Sequence, residues 1–220
     1  MRIPILLGLL AVTPAFSNTF SFSIDTSSLI ANPNGPFTLD FQFIDGGGTG
    51  DGNNTITLSN FSDPASLTIV PSSETAGVTL NGSPFGLTMT DNSFFNEISF
   101  LLVPSSSLSF RFDSTDNPEA GTPDTFIVDL LDSSLNNIPT TNPNGIALIE
   151  VDLPTTDPAT GTQVITSGSL ANSDGVVFAA PAESFVATPE PSTIAMMTIE
   201  AMIVLAGLLR RRFQLKRAAR

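Results

Sequence analysis

The sequence predicts an all-β fold, an antiparallel β-sandwich of jelly-roll or Greek-key type, followed by a C-terminal single transmembrane helix. Three observations point there. Apolar and polar residues alternate with period two along most of the body, which presses one face of each strand against a core. Gly, Pro, Asn, Asp and Ser gather between these runs, and no long amphipathic helix interrupts them. Near the C-terminus an 18-residue, largely apolar run from Ser192 to Leu209 is backed by Arg210, Arg211 and Arg212.

The strands follow in order. Phe20, Phe22 and Ile24 alternate with Ser, and Phe37, Leu39, Phe41 and Phe43 alternate with Thr, Asp and Gln. Ile56 and Leu58, Leu67 and Ile69, then Leu87 and Met89 continue the pattern. Leu108, Phe110 and Phe112 form one strong run, and Phe126, Val128 and Leu130 another. Ile146, Leu148, Val151 and Leu153 keep an approximate version, and Val164 to Thr166 and Val176 to Phe178 are short final runs. Phe94 to Val103 is apolar on both faces, which fits a central strand or a short helix. Phe is the natural wedge between two sheets, with Ser and Thr on the wet faces. Asn32-Pro-Asn-Gly35 and Asn142-Pro-Asn-Gly145 echo each other, each with the proline and glycine placement of a type I turn. Shared turn chemistry accounts for this better than duplication.

The ends carry addressing signals. Met1-Arg2, the apolar run Ile3 to Val12 and the small-x-small site Ala15-Phe16-Ser17 predict a signal peptide over 1–17. The sandwich ectodomain is then expected over 18–178, and Ala179 to Thr188 reads as an extended linker. As a helix, Ser192–Leu209 would be about 27 Å long, close to a bilayer's hydrocarbon core. Pro189 and Pro191 bar helix upstream of it. Glu200 at its centre costs roughly 3 kcal/mol on insertion scales, which the surrounding Ile, Leu and Val only approximately offset. Six of the eight basic residues follow Leu209, so residues 213–220 would be a cytoplasmic tail and the body would face outward.

Thr188-Pro-Glu-Pro-Ser-Thr193, a helix and then Arg-Arg-Arg, in that order at the C-terminus, closely resembles the PEP-CTERM sorting signal of Gram-negative bacteria. The resemblance covers 189–212. It implies that Pro189, Glu190 and Pro191 are the sorting motif, that 192–209 is the membrane helix and that Arg210, Arg211 and Arg212 are the stop. It further implies processing by an exosortase-type membrane enzyme, with the precursor at the inner membrane and the product at the cell surface or in an exopolysaccharide matrix. Leu39-Asp-Phe-Gln-Phe43 and the glycine-rich loop after it resemble β-rich ectodomains found ahead of such tails.

Composition excludes several function classes. The chain carries a net charge of −13, and all of its 21 acids except Glu190 and Glu200 precede residue 188, where the only basic residue past the leader is Arg111. Such a surface repels nucleic acid and attracts cations. The absence of Cys, His, Trp and Tyr rules out disulfides, His-based nucleophilic catalysis and zinc sites built on His or Cys. It also leaves Phe as the only aromatic platform for a sugar.

Two acidic stretches invite a metal. Asp45-Gly-Gly-Gly-Thr-Gly-Asp-Gly-Asn-Asn54 resembles a calcium-binding repeat, but Gly52 stands where that pattern needs an acid, and a flexible hairpin loop is the plainer reading. Asp113, Asp116, Glu119 and Asp124 lie in an acidic loop where Ca²⁺ would relieve mutual repulsion. No other cofactor is expected. The leading expectation is an exported, non-catalytic surface or matrix protein. The alternative is a carbohydrate-binding or calcium-dependent adhesion module, and the third reading is a glycoside hydrolase using an Asp/Glu pair.

Overall fold

The alternation becomes strands wherever it is regular. The structure is a computed structural model that describes residues 16–185, apart from positions 49, 64–65, 71–73, 82–85, 119, 146, 157–163, 168–169, 172–176 and 179–181. In chain order the strands are β1 (Phe16–Asp25), β2 (Phe37–Ile44), β3 (Thr55–Ser59), β4 (Leu67–Ile69), β5 (Val78–Asn81), β6 (Gly86–Thr90) and β7 (Phe95–Leu102). They continue as β8 (Ser107–Asp116), β9 (Thr125–Leu131), β10 (Ile149–Asp152), β11 (Val164–Ser167), β12 (Leu170–Ala171), β13 (Val177–Phe178) and β14 (Ala182–Phe185). The ambiguous stretch from Phe94 to Val103 is strand β7 and not a helix, because β2 and β4 take up its two edges.

Two six-stranded sheets result, ordered β14-β1-β8-β3-β6-β5 and β11-β10-β9-β2-β7-β4, with β12 and β13 pairing apart from them. β1 lies beside β8, β2 beside β7 and β3 beside β6, the pairing of one long hairpin rolled over on itself. Most connections along the first nine strands therefore cross from one sheet to the other. The glycine-rich stretch after β2 is one of these crossings, since β2 and β3 lie in different sheets, and it does not make the hairpin expected of it.

Phenylalanine closes the sandwich. Phe41 on β2 meets Phe110 on β8 at a ring separation of 5.9 Å, and Phe112 on β8 meets Phe126 on β9 at 5.2 Å, so both contacts bridge the sheets. Phe37, Leu39, Phe41 and Phe43 all point inward and are buried, as are Phe126, Val128 and Leu130. The outer face of the first sheet is built on Ser and Thr, as expected. On the second it is not.

The turns follow their chemistry. In both Asn-Pro-Asn-Gly segments the glycine N–H donates to the first asparagine's carbonyl, at 3.2 Å for Gly35 and 3.3 Å for Gly145. In both, the first asparagine's side chain also accepts the N–H of the third residue, at 3.0 and 2.8 Å. The echo between the two segments is one turn used twice.

The membrane part of the predicted fold class needs correction. Among the described residues no helix is long and apolar enough to cross a membrane. The fold described is all-β, and Ser192–Leu209, on which the helix was placed, lies outside the described residues, as do 1–15, 189–191 and 210–220. The precursor at the inner membrane, the exosortase partner and release to the surface or matrix all depended on that helix, and the described residues supply none to carry them. Ser17–Val186 forms one compact unit, because β14, inside the expected linker, pairs with β1 from Phe20↔Phe185 to Ser23↔Ala182.

Candidate functional site

The outer face of the second sheet is where the chain departs from an ordinary sandwich. Strand register aligns two rows of outward side chains there. One row runs Thr166, Glu150, Ile127, Gln42, Glu97 across β11, β10, β9, β2 and β7. The next runs Asp129, Asp40, Ser99 across β9, β2 and β7. Four carboxyls from four strands thus share one patch, spanning about 14 Å from β10 to β7 at the usual strand spacing.

Asp40 and Asp129 form its floor, only 3% and 5% exposed, with Gln42, Glu97, Ser99 and Glu150 half-buried around them. Ser99 Oγ donates to Asp40 Oδ1 at 2.7 Å, and Gln42 Nε2 donates to Asp40 Oδ2 at 2.6 Å and to Asp129 Oδ2 at 3.4 Å. Asp129 Oδ1 is buried and accepts no hydrogen bond. Glu150 is held from outside the sheet: Asn142 and Asn144, both in the second Asn-Pro-Asn-Gly turn, donate to its two oxygens at 3.3 and 3.1 Å. Among the described residues no basic side chain answers these acids. Arg111 is turned to the other sheet's outer face, where it pairs with Asp113 at 2.7 Å.

Burial and crowding raise the acids' proton affinity. Burial pushes Asp129 up to about 6, aided by the charges of Asp40 and Glu150. Glu97 is pushed up to about 7, again first by burial and then by the charge of Asp40 and a hydrogen bond with it. When ionised the patch is rich in acceptors and short of donors, because carboxylates only accept and Gln42 Nε2 and Ser99 Oγ already donate to Asp40 and Asp129. Phe95 stands on the same face of β7, two residues from Glu97, and is 38% exposed.

Compared with protein families, curated proteins and solved structures, the chain finds no match in any of the three. The chemistry of this face is therefore the guide to what it does.

A second acidic group locks the loops at one end of the sandwich. Asn54 N–H donates to both oxygens of Asp91, at 3.1 and 2.9 Å, while Asn54 Nδ2 donates to Asp124 Oδ2 at 2.7 Å. Gly46 N–H donates to Asp124 Oδ1 at 2.9 Å, and Asp45 accepts from the N–H groups of Gly48 and Gly50. Burial pushes Asp91 up to about 7 against the pull of the Asn54 N–H, with the charges of Asp124 and Asp51 adding to the rise. Every oxygen of Asp91 and Asp124 is engaged, so this group ties loop to loop. A methyl at Gly46 would overlap the carbonyl oxygens of Thr122 and Pro123. Gly46→Ala is accordingly expected to cost about 1–3 kcal/mol by overpacking, read as a lowered urea midpoint with unchanged slope.

The four acids of the expected calcium loop are not gathered among the described side chains. Asp113 accepts from Arg111 and from Thr19 Oγ1 at 2.6 Å, and Asp124 is committed to Gly46 and Asn54. The side chain of Asp116 and all of Glu119 lie outside the described residues, as do Pro189, Glu190, Pro191, Arg210, Arg211 and Arg212. Among the described residues no group of three or more acids is placed to hold a metal ion. Asp40, Glu97, Asp129 and Glu150 escape sequence reading because each is one polar position in an ordinary alternation. The only hint was that β2 alternates with Asp and Gln where β1 and β3 use Ser and Thr.

Proposed function

We propose that this chain is a carbohydrate-binding β-sandwich module whose ligand lies across the outer face of β10, β9, β2 and β7. The observation that carries this is the unanswered buried acceptor, Asp129 Oδ1, on the floor of a patch whose other acids have no charged partner among the described residues. A buried polar atom without a partner costs about 1–3 kcal/mol, which a ligand donating into it recovers. Sugar hydroxyls are such donors, and a net charge of −13 argues against an anionic ligand. Phe95 supplies an apolar ring for the C–H face of a sugar at the edge of the polar patch. In this reading the chain binds its glycan without turning it over.

The test is a glycan array followed by calorimetry on the full-length chain. Selective binding to a small set of oligosaccharides is expected, weakened about tenfold by Phe95→Ala, a change at an exposed site that leaves the fold alone. Absence of selective binding to any glycan, or binding indifferent to Phe95, would overturn the reading.

A further inference from the structure

The geometry points to a more specific ligand for this face: the primary ammonium group of a de-N-acetylated amino sugar, seated against Asp129 between Asp40 and Glu150. The inference rests on the carbohydrate-binding reading and narrows it. Hydroxyl donors would satisfy Asp129 Oδ1, yet they would leave four carboxyls crowded on one patch without a positive charge. Asp40 and Glu150 both act on Asp129 through their charge, and Asp40 acts likewise on Glu97. An ammonium group meets both needs together. It brings three N–H donors and a unit charge, and hydrogen bonds with an ionised partner are roughly twice as strong as neutral ones.

Among the described residues nothing supplies that charge. Arg111, the basic residue of the described region, is committed to Asp113 on the opposite sheet. Position matters as much as charge. The floor acids are nearly covered, while Glu97, Gln42 and Glu150 are half-open above them. Phe95 lies two strands across from Asp129 and four residues along β7 from Ser99, about 16 Å away at the usual strand dimensions, so it meets a ring further along the same oligosaccharide. The end cluster around Asp91 and Asp124 has no comparable vacancy, since its oxygens already accept from the backbone and Asn54.

The experiment compares tetramers of glucosamine and of N-acetylglucosamine by calorimetry with the full-length chain, in about 0.15 M salt so that distant charges are screened. Spermidine serves as a non-sugar polyamine. The glucosamine tetramer is expected to bind at least about tenfold tighter than the acetylated one. Asp129→Asn and Glu150→Gln should each abolish that preference, and Asp25→Asn, an exposed acid on the first sheet, should preserve it. Equal binding of the two tetramers would overturn the ammonium site and leave the carbohydrate reading standing. Spermidine binding as tightly as the glucosamine tetramer would overturn the amino-sugar assignment in favour of general attraction to an acidic protein. A preference that survives in Asp129→Asn would overturn the placement, and failure of every oligosaccharide to bind would remove both proposals together.

Discussion

Replacing Phe41 with alanine is expected to destabilise the sandwich by about 3–5 kcal/mol, the range for emptying a buried aromatic site. Phe41 is fully buried on β2, with four phenylalanine rings around it: Phe100 at 5.8 Å, Phe110 at 5.9 Å, Phe126 at 6.3 Å and Phe61 at 6.5 Å. Phe110 belongs to the opposite sheet, and Phe100 and Phe126 to the strands flanking β2, so the cavity would open at the centre of the large core among the described residues. Those neighbours are themselves pinned by other rings, such as Phe61 against Phe110 at 5.5 Å and Phe112 against Phe126 at 5.2 Å, and cannot easily collapse into the gap. Against a total stability of about 5–15 kcal/mol, a loss of this size removes a large fraction of the folded margin. Urea unfolding measures it, with exposed Phe95→Ala as the matched control at no more than about 0.5 kcal/mol. A loss under about 1 kcal/mol at Phe41 would contradict the core described here.

Stability is also expected to fall as pH rises from about 4 to about 8. Carboxylates of an unfolded chain titrate near 4. In the folded protein, Asp91 and Glu97 are pushed up to about 7 and Asp129 to about 6, chiefly by burial. Between the unfolded and folded values the folded chain retains protons that the unfolded chain has released, so each step up in pH favours unfolding. Their contribution is complete below the unfolded value and lost once pH has passed the folded one. Asp25 and Asp132, held below the usual range by the hydrogen bonds they accept from Ser27 and Asn136, work in the opposite sense, but only at more acidic pH. The melting temperature at pH 5 should therefore exceed that at pH 8. Asp129→Asn combined with Glu97→Gln should flatten the slope, because neither amide titrates. A protein equally stable at both pH values, or a slope unchanged in the double variant, would contradict the buried protonated acids.

Much of the architecture was legible because period-two alternation is a local property. Phe37, Leu39, Phe41 and Phe43 announce both a strand and its inward face before any partner is known, and the two Asn-Pro-Asn-Gly segments announce their turns. The stretch from Phe94 to Val103 was ambiguous because apolar residues on both faces fit either a strand or a short helix. Only pairing with β2 and β4 resolved it. β14 was missed for a related reason. Ala182–Phe185 has no alternation worth the name, and it is a strand because β1 offers it an open edge.

The candidate face was legible only in fragments. Sequence placed Asp40 and Gln42 on the wet side of β2, but nothing local to Asp129, Glu97 or Glu150 says that they will meet there. Charge density drew attention instead to residues 113–124, where acids are close in the chain. In the folded protein Asp113 and Asp124 have separate partners, because β8 ends before the loop that carries Asp124 down to Gly46 and Asn54.

By itself the sequence determined that this region is a phenylalanine-packed, disulfide-free β-sandwich with an acidic surface, since residue type and period act over a few neighbours. The tertiary structure decided which acids become neighbours. Strand register set Asp129 beside Asp40, and rolling the hairpin brought β7 against β2. A ligand face assembled from four strands is written in long-range pairing, and pairing is fixed only when the whole core closes.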